Sequence, residues 1–382
     1  MKKSLVLLPL LAAVLVGLVF TGFQCGSPAL TSAKLYIQRQ EWVSAENSLM
    51  SEVQKNPANA EAWYLLGDVR RNMGNFQGMM EAFDQSLKAS PEFAEKIGDV
   101  KHFVWGSAMK RAIASYNQSI NAQKDSAVAL RDSAITYYKI AVLVMPDSII
   151  GFQNLAIAYH VNGDYDGEIA TLKSALAQKK DIEISKTLID ANISKAERAK
   201  QNGNKEEAAN SYSDAIAALT EARATAPDDP ELLETLINLY ISADRTKEAI
   251  PFLQEAVTKD PKNKEFQHDL GLLMLQDNKY DEATQHLEAA IAIDPGYEDG
   301  LWDATVAYLK WGDKLRSDAA PNSDSGPYLE KFKSAVKLAQ KLVEIKKDVI
   351  KYWDGLGRAY ANAGMSKEAQ KAFEQVETLK KK

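Results

Sequence analysis

A chain of 382 residues is too long for one ordinary hydrophobic core, so it must fold as several domains or as an extended array of repeated units. Its 46% hydrophobic and 26% charged residues, with only 20 glycines and 12 prolines, exclude a disordered or collagen-like chain. A formal net charge of −6 argues against nucleic acid as a partner, and one cysteine with four histidines, none at His-Glu-x-x-His spacing, leaves no zinc cage or disulfide framework to assemble.

The first element is a leader. Lys2 and Lys3 make a short basic start, and Leu5 to Phe20 follow without a charge. That pattern predicts an export signal over residues 1–24, with an uncleaved transmembrane anchor as the alternative, because the apolar stretch reaches Phe23 and is long enough to cross a bilayer. Both readings keep the lysines cytoplasmic and carry the body across the membrane.

Cys25 stands directly after the apolar run and is followed by Gly26, Ser27, Pro28 and Ala29. This stretch resembles the start of a mature bacterial lipoprotein, although Gln24 stands where that family usually has a small residue. The resemblance implies a diacylglycerol on the Cys25 thiol and further acylation of the new amino terminus. Several acyl chains hold a protein stably to a bilayer where one would not. Residues 25–29 then form a lipidated linker. Gly26 is not the acidic residue that retains some lipoproteins in the inner membrane, so the expected place is the outer membrane, facing the periplasm.

From residue 30 onward, apolar residues recur at helical spacing, and breaks containing Gly, Asn, Asp or Pro return every fifteen to twenty residues. Asp294-Pro295 repeats Asp260-Pro261 after 34 residues. In that register Trp63, Leu66, Gly67, Phe83 and Pro91 align with Leu233, Leu236, Tyr240, Ala249, Leu253, Ala256 and Pro261, and with Leu270, Gly271, Ala283, Leu287, Ala290 and Pro295. Phe152, Leu155, Ala156, Tyr159, Leu172 and Ala175 form another unit, and Trp353, Leu356, Gly357, Tyr360, Ala369 and Phe373 the last. The period and these positions resemble the tetratricopeptide repeat. The resemblance implies an all-α fold: a right-handed α-solenoid of about nine antiparallel helix pairs over residues 30–379.

Each position has a packing task. Small residues permit two antiparallel helices to approach closely, Gly or Asn in the turns at Gly74, Gly163, Asn278 and Gly364 tolerates a left-handed backbone, and Pro ends the second helix. Residues 93–146 and 183–226 are too long for one ordinary unit and read as pairs with lengthened helices. Residues 316–328 read as a polar insert loop replacing a turn.

No grouping of catalytic residues stands out: phosphate loops and nucleophile elbows are absent, and paired acids such as Glu206-Glu207 sit at helix starts, where the helix dipole favours them. The expectation is a protein that is not an enzyme and takes no cofactor, metal or small-molecule substrate. The repeat resemblance places function on the face made by the first helix of each pair. Groove positions at i, i+4 and i+7 include Asn238 and Ile241, then His268, Leu272 and Leu275, then Trp302, Val306 and Leu309. Their largely apolar character suggests a slot for an apolar helix or extended peptide, with Trp302 as its anchor and Trp63 and Trp353 as core residues. The function read from this is a scaffold or adaptor of the bacterial cell envelope, membrane-anchored on the trans side and binding proteins or peptides. The alternatives are a structural subunit of an envelope machine for outer-membrane assembly, secretion or cell-wall synthesis, and an enzyme with an unrecognised site.

Overall fold

The structure, a computed structural model, describes residues 27–319 and 326–381. Cys25, the leader and residues 320–325 of the expected insert lie outside the described residues. Among those described there are eighteen α-helices, one short 3₁₀ turn and no strand. The helices follow one another as antiparallel pairs, because turns of a few residues leave no room for any other return. The all-α solenoid of nine helix pairs is therefore as the repeat register requires.

The chain divides into two compact units, residues 1–184 and 185–382. The first holds α1 (Pro28–Gln38), α2 (Trp42–Lys55), α3 (Ala60–Asn72), α4 (Phe76–Ala89), α5 (Ala94–Ile120), α6 (Lys124–Val144), α7 (Ile149–Asn162) and α8 (Tyr165–Gln178). Pro91–Phe93 form a 3₁₀ turn ahead of α5. The second holds α9 (Ile182–Gln201), whose first turn spans the boundary, then α10 (Lys205–Thr225), α11 (Pro230–Ser242), α12 (Thr246–Lys259), α13 (Lys264–Gln276), α14 (Tyr280–Ile293), α15 (Glu298–Asp318), α16 (Pro327–Ile345), α17 (Ile350–Asn362) and α18 (Ser366–Lys380).

Local chemistry sets the helix ends. Asn59, Asn75, Asp164 and Asn263 each accept a hydrogen bond from the backbone N–H three residues on, satisfying one orphan donor at the start of a helix. Gly74, Gly163, Gly203 and Gly364 turn left-handed, as does Asn278 with φ 60°. Gln40 (φ 59°) and Asp244 (φ 58°) take the same conformation, which their residue types did not announce. They do so because the turn bonds are the same: Glu41 N–H donates to Tyr36 O and Arg245 N–H to Tyr240 O, as Asn75 N–H does to Arg70 O.

The lengthened pairs are present as α5 with α6 and α9 with α10. The insert is shorter than residues 316–328: α15 continues through Arg316 and Ser317 to Asp318, and α16 already starts at Pro327. Lys314 bonds Asp318, and Arg316 bonds Asp313 and Asn362, so this stretch has the side-chain contacts to stay helical.

Apolar burial is distributed along the array. In the first unit, Leu30, Ala33, Leu49, Val53 and Leu66 form one cluster, Met79, Phe83, Ile97 and Val144 a second, and Ala108, Ala112, Tyr138 and Leu155 a third. In the second unit, Leu301, Tyr308, Val336, Leu342, Tyr352 and Leu356 form another. Each cluster joins helices from neighbouring pairs, as stability by nearest-neighbour contact demands.

Within a pair the contact is made by a glycine against a large side chain. A Cβ added at Gly67 would lie 2.4 Å from the Phe83 ring, at Gly271 2.7 Å from Leu287, and at Gly357 2.6 Å from Phe373. The partner stands sixteen residues later each time. Gly312 and Phe332 make the same contact at 2.4 Å across the longer α15–α16 connection.

Candidate protein-binding face

In the second unit the first helices α11, α13, α15 and α17 run in the same direction, since each is followed by an antiparallel partner. Asn263 caps α13 and sets its register, bringing His268 to the α15 side. His268 is buried, and its Nε2 donates to Asp303 Oδ2 at 2.8 Å; Nδ1 faces Asp269 Oδ1 at 3.5 Å. The Tyr297 ring meets the imidazole edge-on at 5.2 Å. Burial alone would favour the neutral ring, but hydrogen bonds and charge from Asp269 and Asp303 outweigh it and push the His268 pKa up to about 9. His268 is thus an imidazolium that joins two first helices.

The surroundings are electronegative. Burial, followed by Asp299, Asp269, Glu265 and Asp303, raises the Tyr297 pKa to about 12. Lys264 offsets part of this charge, its Nζ lying 4.8 Å from the Tyr297 ring centre and 2.6 Å from Asp294.

Trp302, expected as an open anchor, is half-buried. Its ring packs against Tyr352 of α17 at 5.5 Å, and a Cβ at Gly355 would come within 2.9 Å of it. Lys351 Nζ sits 5.3 Å above the indole and 4.9 Å above Tyr352. Tyr352 is buried and donates to the Glu298 carboxylate, which Lys346 also approaches at 3.4 Å. Leu309 packs on the same cluster. The first helices touch here because Gly355 lets an indole lie against the α17 backbone.

The eight groove positions therefore separate. Asn238 and Ile241 are exposed on α11, Ile241 by 37%. Leu272, Val306 and Leu309 are half-buried. His268 and Leu275, expected as groove positions, are buried, because α13 and α15 stack. About one helical turn beyond His268 and Asp303 stand Leu272 on α13 and Val306 on α15, both apolar and half-buried.

The expected contrast between Trp302 and the other tryptophans is also corrected. Trp63 and Trp353 are half-buried too, and each Nε1–H donates to the carbonyl six residues earlier, Pro57 O and Lys347 O, both at 2.9 Å. Gln267 holds the equivalent place in its repeat, donating from Nε2 to Pro261 O at 3.3 Å and accepting from His286 Nδ1 at 2.8 Å. Sequence reasoning missed Asp303 and this Gln267 role. Asp303 lies 35 residues after His268, one repeat plus one, which is the signal that could have found it.

Among the described residues no group of three or more His, Cys, Asp or Glu could hold a metal ion, and no helix is long and apolar enough to cross a membrane.

Stacked helix pairs joined side to side by their first helices define an α-helical repeat protein. Signatures of the tetratricopeptide repeat match residues 60–93, 207–273 and 350–382, so the chain carries tetratricopeptide repeats in these segments. Comparison with curated proteins gave no match. Among solved structures, a crystal structure of MamA protein is 20% identical, covering 50% of this chain and 92% of that one at a TM-score of 0.39. A structure of MamA from position 41 to the end, from Desulfovibrio magneticus RS-1, is 21% identical, covering 50% and 95% at 0.38. The family assignment rests on the repeat signatures and the helix pairing.

Proposed function

We propose that this protein is a non-catalytic scaffold or adaptor of the bacterial cell envelope, tethered through a lipid on Cys25 and holding partner proteins on the first-helix face of its second unit. Tetratricopeptide repeats serve protein interaction, which is the established part of this reading. The choice of face is supported by exposed Asn238 and Ile241 on α11 and half-buried Leu272 and Val306 on α13 and α15, the latter two helices being joined by the His268–Asp303 hydrogen bond. A binding face needs a rigid support and an apolar centre with polar edges, and this arrangement supplies both.

The test is affinity isolation from detergent-solubilised membranes with the wild-type chain and an Ile241→Asp/Val306→Asp variant. A reproducible set of partners should co-purify with the wild type and be lost from the variant, whose helicity by circular dichroism is unchanged. Equal recovery with both would reject this face.

A further inference from the structure

We propose that helix α5 carries a second, independent surface on which another copy of this chain docks, its α5 antiparallel to the first. α5 has 27 residues, whereas α3, the first helix of the preceding pair, has 13. Ile97, Val104, Ala108 and Ala112 form its buried stripe. At 100° per residue the opposite side carries Lys96, Asp99, Phe103, Gly106, Lys110, Ile113 and Asn117, spaced alternately by three and four residues. That is the spacing of a helix-pairing seam. Phe103 is 66% exposed and Ile113 43%, so the seam presents large apolar groups to solvent. A Cβ added at Gly106 would meet nothing within 4 Å, which leaves a gap beside Phe103.

The charge pattern chooses the occupant and its direction. Glu92, Glu95 and Asp99, with the single cation Lys96 among them, lie at the start of the segment, and no acid follows from residue 100 to 124, a stretch that holds Lys101, Lys110, Arg111 and Lys124. Neither Asp99 nor Lys110 forms an ion pair among the described residues. Parallel pairing of two such helices would set like charges side by side. With a two-fold axis between Val104 and Trp105, each Phe103 lies over Gly106 of the second copy, and each Asp99 faces Lys110 of the second copy. Every layer then joins the two kinds of seam position, as antiparallel helix pairs require, and the contact closes on itself. One helix thus supplies a knob, its hole and both members of an ion pair.

The test is sedimentation velocity of the purified full chain in detergent over a range of concentrations, with circular dichroism of each variant. Wild type should dimerise reversibly. Asp99→Lys and Lys110→Asp should each weaken the dimer by about tenfold or more, and the double variant should restore it, because charges facing across an interface act as a pair. Phe103→Asp should be monomeric with unchanged helicity. A wild type that stays monomeric would overturn the proposal, as would a dimer indifferent to both charge reversals or a double variant as weak as the singles. If Phe103→Asp fails to fold, the charge-exchange series still decides.

Discussion

Buried His268 on α13 donates a 2.8 Å hydrogen bond to half-buried Asp303 on α15, and this imidazolium–carboxylate pair joins two successive first helices. Its folded pKa is raised from 6.5 to about 9, so its contribution to stability is fully present below about pH 6.5 and is lost as pH rises through 9. His268→Gln should cost about 1.5–3 kcal/mol near pH 6, the usual range for a hydrogen bond to a charged group. Urea unfolding at pH 6 and pH 9.5 should show the wild type and His268→Gln converging at the higher pH. A gap that stays constant would mean the histidine acts by shape alone.

The glycine contacts predict opposite outcomes for one substitution. At Gly67 a methyl group would sit 2.4 Å from the ring of Phe83, which is buried and has nowhere to move. Gly67→Ala should therefore destabilise by about 1–3 kcal/mol despite its better helix propensity. Gly98→Ala on α5 meets nothing within 4 Å and should stabilise by about 0.5–1 kcal/mol. Thermal melts of the two variants check this directly; the same sign for both would refute the close-approach account.

A third outcome concerns Gln40, which holds a left-handed backbone at φ 59° without being glycine or asparagine. Gln40→Gly should raise the stability of the first unit by about 1 kcal/mol, the usual relief for an L-residue in that region. Hydrogen exchange of the α1 and α2 amides is the readout, and slower exchange is expected.

Trp302 should behave as a packing residue. Because its indole lies on Tyr352 and against Gly355, Trp302→Ala is expected to cost about 2–4 kcal/mol, somewhat below a fully buried tryptophan. Trp302→Phe should recover about half of that, since a smaller ring still covers Tyr352. A melt that shifts by less than a degree on Trp302→Ala would return the residue to the role of open anchor.

The repeat period, the pair count and most turns were legible in the sequence because they depend on contacts within one unit. Gly67 and Phe83, or Gly271 and Leu287, stand at a fixed offset, and the same interval returns along the chain. The fate of the groove positions was not legible in that way. Whether Trp302 faces solvent or Tyr352 depends on how far α15 and α17 approach, and that distance is set by Gly355 on the other helix, 53 residues later. Likewise, His268 reads as an exposed polar residue until Asp303 is placed beside it. Gln40 and Asp244 escaped notice because the backbone bonds of the turn, not the residue type, hold them.

If partners are held on the first-helix face of the second unit, site-specific photocrosslinking in intact cells will capture them there. A crosslinking amino acid placed at Asn238 or Ile241, both exposed on α11, should yield discrete higher-mass adducts, whereas one at Gln254, exposed on the second helix α12, should not. Adducts of the same mass and yield at all three positions, or adducts at Gln254 alone, would contradict the account.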